Sequence, residues 1–222
     1  MEPYNVARTD RPQPTLVSID QVADGWIKKY ILHYRLPNGQ DYTYENVSRK
    51  NLAAYTREIS DGDNAPAHLT KTDAVCIVPR TMDNRLVMIR EFRYPLNRWC
   101  IAFPAGLVDP GENVEECVAR ELSEETGYRL HVDADGKTHV RALSQPAYSS
   151  SGISEESVQV VYVHVDDEPD PAHTEAAEFI DVFTVRMDDV PGFLASSTDA
   201  IGTRAQLILE SFANNINRYG DA

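Results

Sequence analysis

The sequence predicts an α+β fold, a mixed sheet packed with helices and preceded by a small N-terminal β-domain. Three observations carry this expectation. Short apolar β-type runs outnumber the helical patterns and do not alternate strictly with them. An Asn-Gly hairpin signal near the start is separated from those runs by a polar loop rich in Gly, Asp and Asn. One strongly amphipathic helical pattern lies mid-chain and is closed by a glycine.

The elements follow in order. Residues 1–20, rich in Pro, Asp and Arg without periodicity, read as a flexible arm. Runs 26–34 and 42–47 are β-rich and flank Pro37-Asn38-Gly39-Gln40, which marks a hairpin. If Asn38-Gly39 forms a two-residue turn, Pro37 faces Gln40 and Tyr44 faces His33. A short helix is expected at 49–58. The loop 61–66 then places a boundary between an N-terminal domain (21–68) and a second domain (69–222). Strands are expected at 74–78, 86–92 and 99–103, a helix at 114–126 and a turn at Asp135-Gly136. Further strands at 157–165 and 179–185 and a closing helix from about 202 to 215 complete the second domain.

Composition narrows the function. With 35 acidic against 21 basic residues the net charge is −14, a field that repels nucleic acid. It also repels phosphate compounds, so a diphosphate substrate requires local cations, either bound metal or aimed arginines. No apolar run reaches membrane-spanning length, and the first residues lack the apolar core of an export signal, so a cytoplasmic protein is expected. Cys76, Cys100 and Cys117 sit in apolar surroundings without a CxxC pair and read as buried, reduced thiols.

The helix at 114–126 carries the chemistry. At about 100° per residue, Val114, Cys117, Val118 and Leu122 form its apolar stripe. Glu121 and Glu125 fall on the same stripe, with Glu124 beside it. A Glu-rich helix usually presents a solvated face, which suits Glu115 and Glu116. It does not suit carboxylates projecting toward a core, where an unpaired charge is costly. Convergent carboxylates on an inward face call for a hard cation with oxygen ligands, and Mg²⁺ suits few protein ligands plus substrate phosphates.

The run Gly106-Leu107-Val108-Asp109-Pro110-Gly111-Glu112, followed after seven residues by Arg120-Glu121-Leu122-Ser123-Glu124-Glu125-Thr126-Gly127-Tyr128, resembles the Nudix box, GX5EX7REUXEEXGU. Every fixed position matches; at Tyr128 an aliphatic residue is commoner. The resemblance implies the Nudix fold, a mixed sheet sandwiched between helices. It further implies that Glu121, Glu124 and Glu125 ligate Mg²⁺ (with Mn²⁺ as a substitute), that the backbone carbonyl of Ala105 adds a ligand, and that an Arg120–Glu112 ion pair orients the acids. Gly106 and Gly111 are expected to let the preceding loop turn tightly.

The segment Glu91-Phe92-Arg93 through Pro104-Ala105-Gly106 is similar to the ADP-ribose pyrophosphatase group of that family, with its Q-F/Y-R and E-x-P-A-G segments. Ala102 stands where the group usually has glutamate. Arg93 would contact substrate phosphate. Ser151-Gly152-Ile153-Ser154-Glu155 resembles the group's S-P-G-x-[ST]-[DE] loop without its proline. Trp26 and Tyr44 occupy the places of the aromatics that sandwich adenine in these dimeric enzymes, and Glu45 and Arg49 match the polar residues that follow. On the two-residue-turn register, Trp26 lies about 23 Å along the strand from the position facing Tyr44. Two rings of one chain then cannot clamp one base, and a two-fold partner must supply the second ring. The alternative is that both rings pack a small β-core. For the general base, Glu178 lies where the group keeps a mobile glutamate, with Glu155 and Glu175 as competitors. The expected substrate is ADP-ribose or a related ADP-sugar. Another nucleoside diphosphate derivative, or a non-cutting ligand sensor, are the alternatives, and no nucleic-acid or membrane partner is expected.

Overall fold

The computed structural model describes residues 12–60, 72–172 and 178–214. These divide into two compact units: 12–60 together with 149–156, and the remainder. The loop after residue 148 therefore belongs with the N-terminal residues, which the sequence-based boundary did not anticipate. The expected boundary loop itself lies outside the described residues.

The N-terminal unit is a three-stranded antiparallel sheet, β1 (Thr15–Asp24), β2 (Lys28–Arg35) and β3 (Asp41–Ser48), with helix α1 (Leu52–Ser60). A strand from Thr15 corrects the expectation of an arm through residue 20. Backbone pairing with β2 captures a segment that has no apolar period of its own. The β2–β3 register is also one residue off the expected one, since Tyr44 pairs with Leu32 rather than His33. The cause is the turn. Leu36 pairs with Gln40 around the three-residue loop Pro37-Asn38-Gly39, whose Gly39 takes a positive φ of 83°. Such a loop adds one residue to the two-residue turn, and a one-residue slip exchanges the faces of the strand. Tyr30, Leu32 and Tyr55 form the core, with the Tyr30 and Tyr55 rings stacked 4.6 Å apart. The loop 149–156 joins through the Val47 N–H, which donates to Ile153 O at 2.9 Å.

In the second unit a nine-stranded mixed sheet has the order β12-β6-β5-β4-β10-β8. Its members are β4 (Ala74–Thr81), β5 (Arg85–Arg93), β6 (Arg98–Ala102), β7 (Ala105–Leu107), β8 (Val140–Ala142), β9 (Ala147–Tyr148), β10 (Ser157–Val165), β11 (Ile180–Arg186) and β12 (Ala200–Ile201). β4 runs parallel to β10 and β6 parallel to β12, while β11 pairs antiparallel with β5. The helices are α2 (Val114–Thr126), α3 (Val190–Ser196) and α4 (Thr203–Ala213). Between α2 and β9, Leu130 and Val132 make isolated bridges and Val140–Ala142 forms the short β8.

Strand alternation sends neighbouring side chains to opposite faces. Val75 and Ile77 of β4 join Val87, Val161, Val163 and the α2 residues Cys117, Val118 and Leu122 in one core cluster. Ala74, Cys76 and Val78 join Val190, Leu209 and Phe212 of α3 and α4 in another. The sheet is thus the middle layer, with α2 on one face. Leu122 is fully buried, a burial worth about 1.5–3 kcal/mol. Among the described residues no helix is long and apolar enough to cross a membrane.

Candidate catalytic and metal site

α2 forms where the sequence supplies both ends of a helix. The Asn113 side chain accepts from the Glu115 and Glu116 N–H groups, and Glu116 returns a bond to the Asn113 N–H, completing a capping box. Gly127 closes the helix with φ 75°. Glu116, read from sequence as merely solvated, is thus a capping residue. The helix is anchored through its apolar stripe, so the carboxylates on that stripe are carried toward the sheet.

Glu125 is only 7% exposed, and its Oε2 accepts from the Ala105 backbone N–H at 3.0 Å. Burial pushes its pKa up to about 8, and the charges of Glu121, Glu91 and Glu178 add to that rise. Glu121 is half-buried and its pKa is also raised, chiefly by burial, against the lowering effect of Arg120. Glu124 lies at the exposed edge.

Arg120 is the hub. Its Nε and Nη2 donate to the two carboxylate oxygens of Glu112 at 2.9 Å each, a bidentate pair. Nη1 donates to Glu121 Oε1 at 2.8 Å and to Glu124 Oε2 at 3.1 Å, and Nη2 also reaches the Leu107 carbonyl at 3.0 Å. The guanidinium holds the Glu112 carboxyl at a pKa of about 2. Burial beneath this network pushes the Cys117 thiol up to about 12, so Cys117 is an inert packing residue.

Gly106 leaves space beside Glu121 rather than making a turn. Its φ is not positive, but a Cβ there would come within 1.8 Å of Glu121 Cδ. Gly111, by contrast, does adopt a positive φ, 89°.

These residues fit a divalent cation. The donors are hard carboxylate and carbonyl oxygens, the most buried of them is costly to ionise alone, and Gly106 leaves the Glu121 carboxylate a cradle that a side chain would fill. Among the described residues, no three Asp, Glu, His or Cys side chains are already gathered closely enough to hold an ion. Arg120 draws Glu121 and Glu124 to itself, and the Ala105 amide holds Glu125, so ligation requires these carboxylates to turn from their present partners.

The other sequence-derived candidates fall into different places. Glu178 is exposed just before β11, and its charge acts on Glu91, Glu121 and Glu125. Glu175 lies outside the described residues. Glu155 belongs to the N-terminal unit, where Oε1 accepts from Ser48 Oγ at 2.5 Å and from Lys50 Nζ at 3.3 Å. Those partners make Glu155 an anchor of the 149–156 loop. Arg49 pairs with Glu156 in the same unit. Glu45 pairs with Lys29 at 2.7 Å. As neighbours on β3, Tyr44 and Glu45 project to opposite faces. Tyr44 lines a cavity of about 580 Å³ with Leu32, Tyr42 and Tyr55, and its hydroxyl donates to Gly152 O at 2.7 Å. Trp26 stands 75% exposed in the bend before β2, two residues beyond the Lys28–Ser48 pair. Arg93 Nη2 meets Glu91 Oε2 at 2.8 Å. Glu91 carried no role in the sequence reading. It comes from a distant strand, and only the position of a carboxylate at the end of β5 signals it.

The NUDIX domain family matches residues 70–204. The chain is 27% identical over 210 residues to the ADP-sugar pyrophosphatase of Mus musculus, covering 88% of this chain and 82% of that one. It is 31% identical over 153 residues to the ADP-ribose pyrophosphatase of Bacillus subtilis, covering 67% of this chain and 72% of that one. Among solved structures, an ADP compounds hydrolase superposes with a TM-score of 0.69 at 20% identity over 94% of this chain and 96% of that one, a likeness of fold.

Proposed function

This chain belongs to the NUDIX domain family of hydrolases, and from that premise we propose that it cleaves the diphosphate linkage of ADP-ribose or a related ADP-sugar, giving AMP and, from ADP-ribose, ribose 5-phosphate. The observation that carries the reading is Glu125: a carboxylate 7% exposed, sharing one helix face with Glu121 beneath the Arg120 hub. That arrangement is costly without a cation and useful with one. The names borne by the relatives supply the ADP-sugar class.

In this reading Glu121, Glu124 and Glu125, with the Ala105 carbonyl, hold Mg²⁺, for which Mn²⁺ substitutes. When bound, the ion supplies neutralisation of the diphosphate oxygens and activation of the attacking water. Arg120, locked bidentate to Glu112, holds Glu121 and Glu124 beside one another in the metal-free site, from which they turn to the ion. Arg93 binds substrate phosphate. Glu178 takes the proton from the attacking water. It stands exposed just before β11 in the same unit as α2, whereas Glu155 accepts from Ser48 and Lys50 in the N-terminal unit.

Tyr44 and Trp26 stack on adenine, with Glu45 and Arg49 beside them. Trp26 lies six residues before Leu32, the partner of Tyr44, four of them along β2 and two in the bend before it, a reach of up to about 20 Å. Two rings sandwiching one base stand only about 7 Å apart, so the second ring comes from another copy and the enzyme works as a homodimer. We place it in the cytoplasm, acting on a small molecule and not on nucleic acid.

The test is a turnover screen of ADP-ribose, other ADP-sugars and dinucleotides with Mg²⁺, read by AMP release. Ala102, at the group's usual glutamate, favours a second reading in which another nucleoside diphosphate derivative turns over faster. Absence of metal-dependent cleavage of every compound overturns both.

A further inference from the structure

Within the second unit, three histidines meet where the chain between α2 and β8 joins β10. The His131 N–H donates to His164 O on β10 at 2.9 Å, and the His164 N–H donates to His139 O at 3.2 Å. His131 and His139 are the two ends of one short hairpin, built on the Val132–Thr138 bridge, the bond from the Asp133 N–H to Lys137 O at 2.9 Å and the positive φ of Gly136, 77°. The Val132–Thr138 bridge sets His131 across from His139, and the residues flanking a bridged pair share the opposite face. A side-chain contact agrees with that placement: His139 Nε2 lies 3.4 Å from Oδ2 of Asp133, two residues along the strand from His131. His131 Nδ1 in turn lies 2.8 Å from Asp166 Oδ1. The ring centroids of His139 and His164 stand 5.4 Å apart with an interplanar angle of 34°. Two nitrogens on one Zn²⁺, each at about 2.0–2.1 Å, are at most about 4.2 Å apart, a separation that side-chain rotation gives this ring pair.

We propose that His131, His139 and His164 form a second metal site, which takes Zn²⁺ rather than Mg²⁺. Imidazole nitrogen suits Zn²⁺, whereas Mg²⁺ selects carboxylate and carbonyl oxygen. The two carboxylates point to ligation rather than to ion pairing alone. Asp166 holds His131 by Nδ1 and Asp133 holds His139 by Nε2, which leaves His131 Nε2 and His139 Nδ1 for an ion. A carboxylate on the far nitrogen is the usual support of a metal-binding imidazole, since it fixes the ring and raises its basicity. The same carboxylates offset Arg80, which neighbours His164 in the β4–β10 register and whose Nε donates to Asn84 Oδ1 at 2.9 Å. Among the described residues no three donors are already gathered, so His139 and His164 are the preformed half and His131 turns onto the ion. The side chains of His131 and His139 are 29% and 46% exposed, so the ion reaches them from solvent, and a water completes its tetrahedron. The bound ion crosslinks the base of the hairpin to β10. This site shares no residue with the α2 acids and does not depend on the nucleotide substrate.

The experiment is a calorimetric titration of Zn²⁺ into the full chain in excess Mg²⁺, with thermal unfolding as the check that each variant is folded. The set is wild type, Glu125→Gln, His131→Ala, His139→Ala and His164→Ala. Wild type and Glu125→Gln are expected to bind Zn²⁺ at this site with the same affinity, because the ion does not use the α2 acids. His139→Ala and His164→Ala should each weaken it by at least about 100-fold, and His131→Ala by about tenfold, since losing a ligand costs no less than losing its supporting carboxylate. Zn²⁺ should raise the Tm of wild type and leave that of His164→Ala where it was. Cu²⁺ in place of Zn²⁺ should give a paramagnetic resonance spectrum split by imidazole nitrogen. Unchanged Zn²⁺ affinity in His139→Ala or His164→Ala overturns the site, and an unchanged His131→Ala overturns its three-imidazole form. Zn²⁺ binding that disappears in Glu125→Gln, or a Cu²⁺ spectrum without nitrogen splitting, overturns it too, because the ion would then sit on carboxylates.

Discussion

The Cα of Gly106 lies against the carboxylate of Glu121 so closely that a Cβ built on it would fall 1.8 Å from Glu121 Cδ and 1.9 Å from Oε1. The smallest possible addition at residue 106 therefore displaces a proposed metal ligand without touching any charge. Gly106→Ala is expected to lower kcat by about 100-fold, the scale of an ångström-size misplacement at a reacting centre. Mn²⁺ affinity should fall with it while the protein remains folded. Normal turnover in that variant would mean that Glu121 reaches its working position unhindered by a side chain at residue 106.

Glu125→Gln separates stability from activity. Burial raises the Glu125 pKa to about 8, so the folded metal-free protein holds this proton more tightly than the unfolded chain does. The associated stability is fully present below the unfolded value near 4.5 and is lost as pH rises through about 8. Metal-free Glu125→Gln should therefore melt higher than metal-free wild type at pH 8, with the difference vanishing near pH 4.5. Its turnover with saturating Mg²⁺ should drop by at least ~100-fold. Calorimetric melting with and without Mg²⁺ checks the first expectation, and a metal-free Glu125→Gln that melts no higher than metal-free wild type at pH 8 would contradict the sign.

The Glu112–Arg120 pair has the opposite sign. Arg120 depresses the Glu112 pKa to about 2, so the pair's contribution is present above the unfolded value of 4.5 and is lost as pH falls toward 2. Glu112→Gln should flatten the acid side of the stability curve over that interval. It should also lower kcat, since Arg120 loses the bidentate partner that fixes its contacts with Glu121 and Glu124. Acid unfolding curves that coincide for variant and wild type would remove this role.

Glu178→Gln is expected to reduce kcat by ~10²–10⁴-fold with little change in KM, the signature of a lost general base. Glu155→Gln is expected to act differently. It weakens the bonds from Ser48 and Lys50, so it should lower Tm more than kcat. If the two variants exchange these behaviours, the base assignment is reversed.

Trp26→Ala should raise KM for an adenine-containing substrate by roughly 5- to 150-fold, the equivalent of the 1–3 kcal/mol carried by one stacked base. It should do so only in a dimer. Sedimentation of wild type at micromolar concentration is expected to show two chains, and a fully active monomer would refute the shared pocket.

The residues of α2 were legible in the sequence because everything that places them is local. Asn113 and Gly127 set the ends of the helix, and the 3.6-residue period put Glu121 and Glu125 on the face of Cys117, Val118 and Leu122. Carboxylates on an apolar face are a contradiction visible without any partner element, and the proposed metal chemistry starts from it. The large strands β4, β5 and β10 were legible for the same reason, since a continuous apolar run between turns has few other uses.

Tertiary structure decided what depends on distant residues meeting. The segment 15–20 became a strand because β2 offered it backbone partners, which no local pattern announces. The reach of the Pro37-Asn38-Gly39 loop, one residue longer than the shortest turn, reversed which face Tyr44 occupies. Folding sent Glu155 to Lys50 and Ser48, although its motif alone left it a candidate base. It also brought Glu91 of β5 into the electrostatic reach of Glu125 on α2, although its own strand shows only a charged residue near a strand end. Periodicity and capping act over a few residues, and a sequence displays them directly. Sheet pairing and charge convergence act across the whole chain, and only the folded backbone supplies those distances.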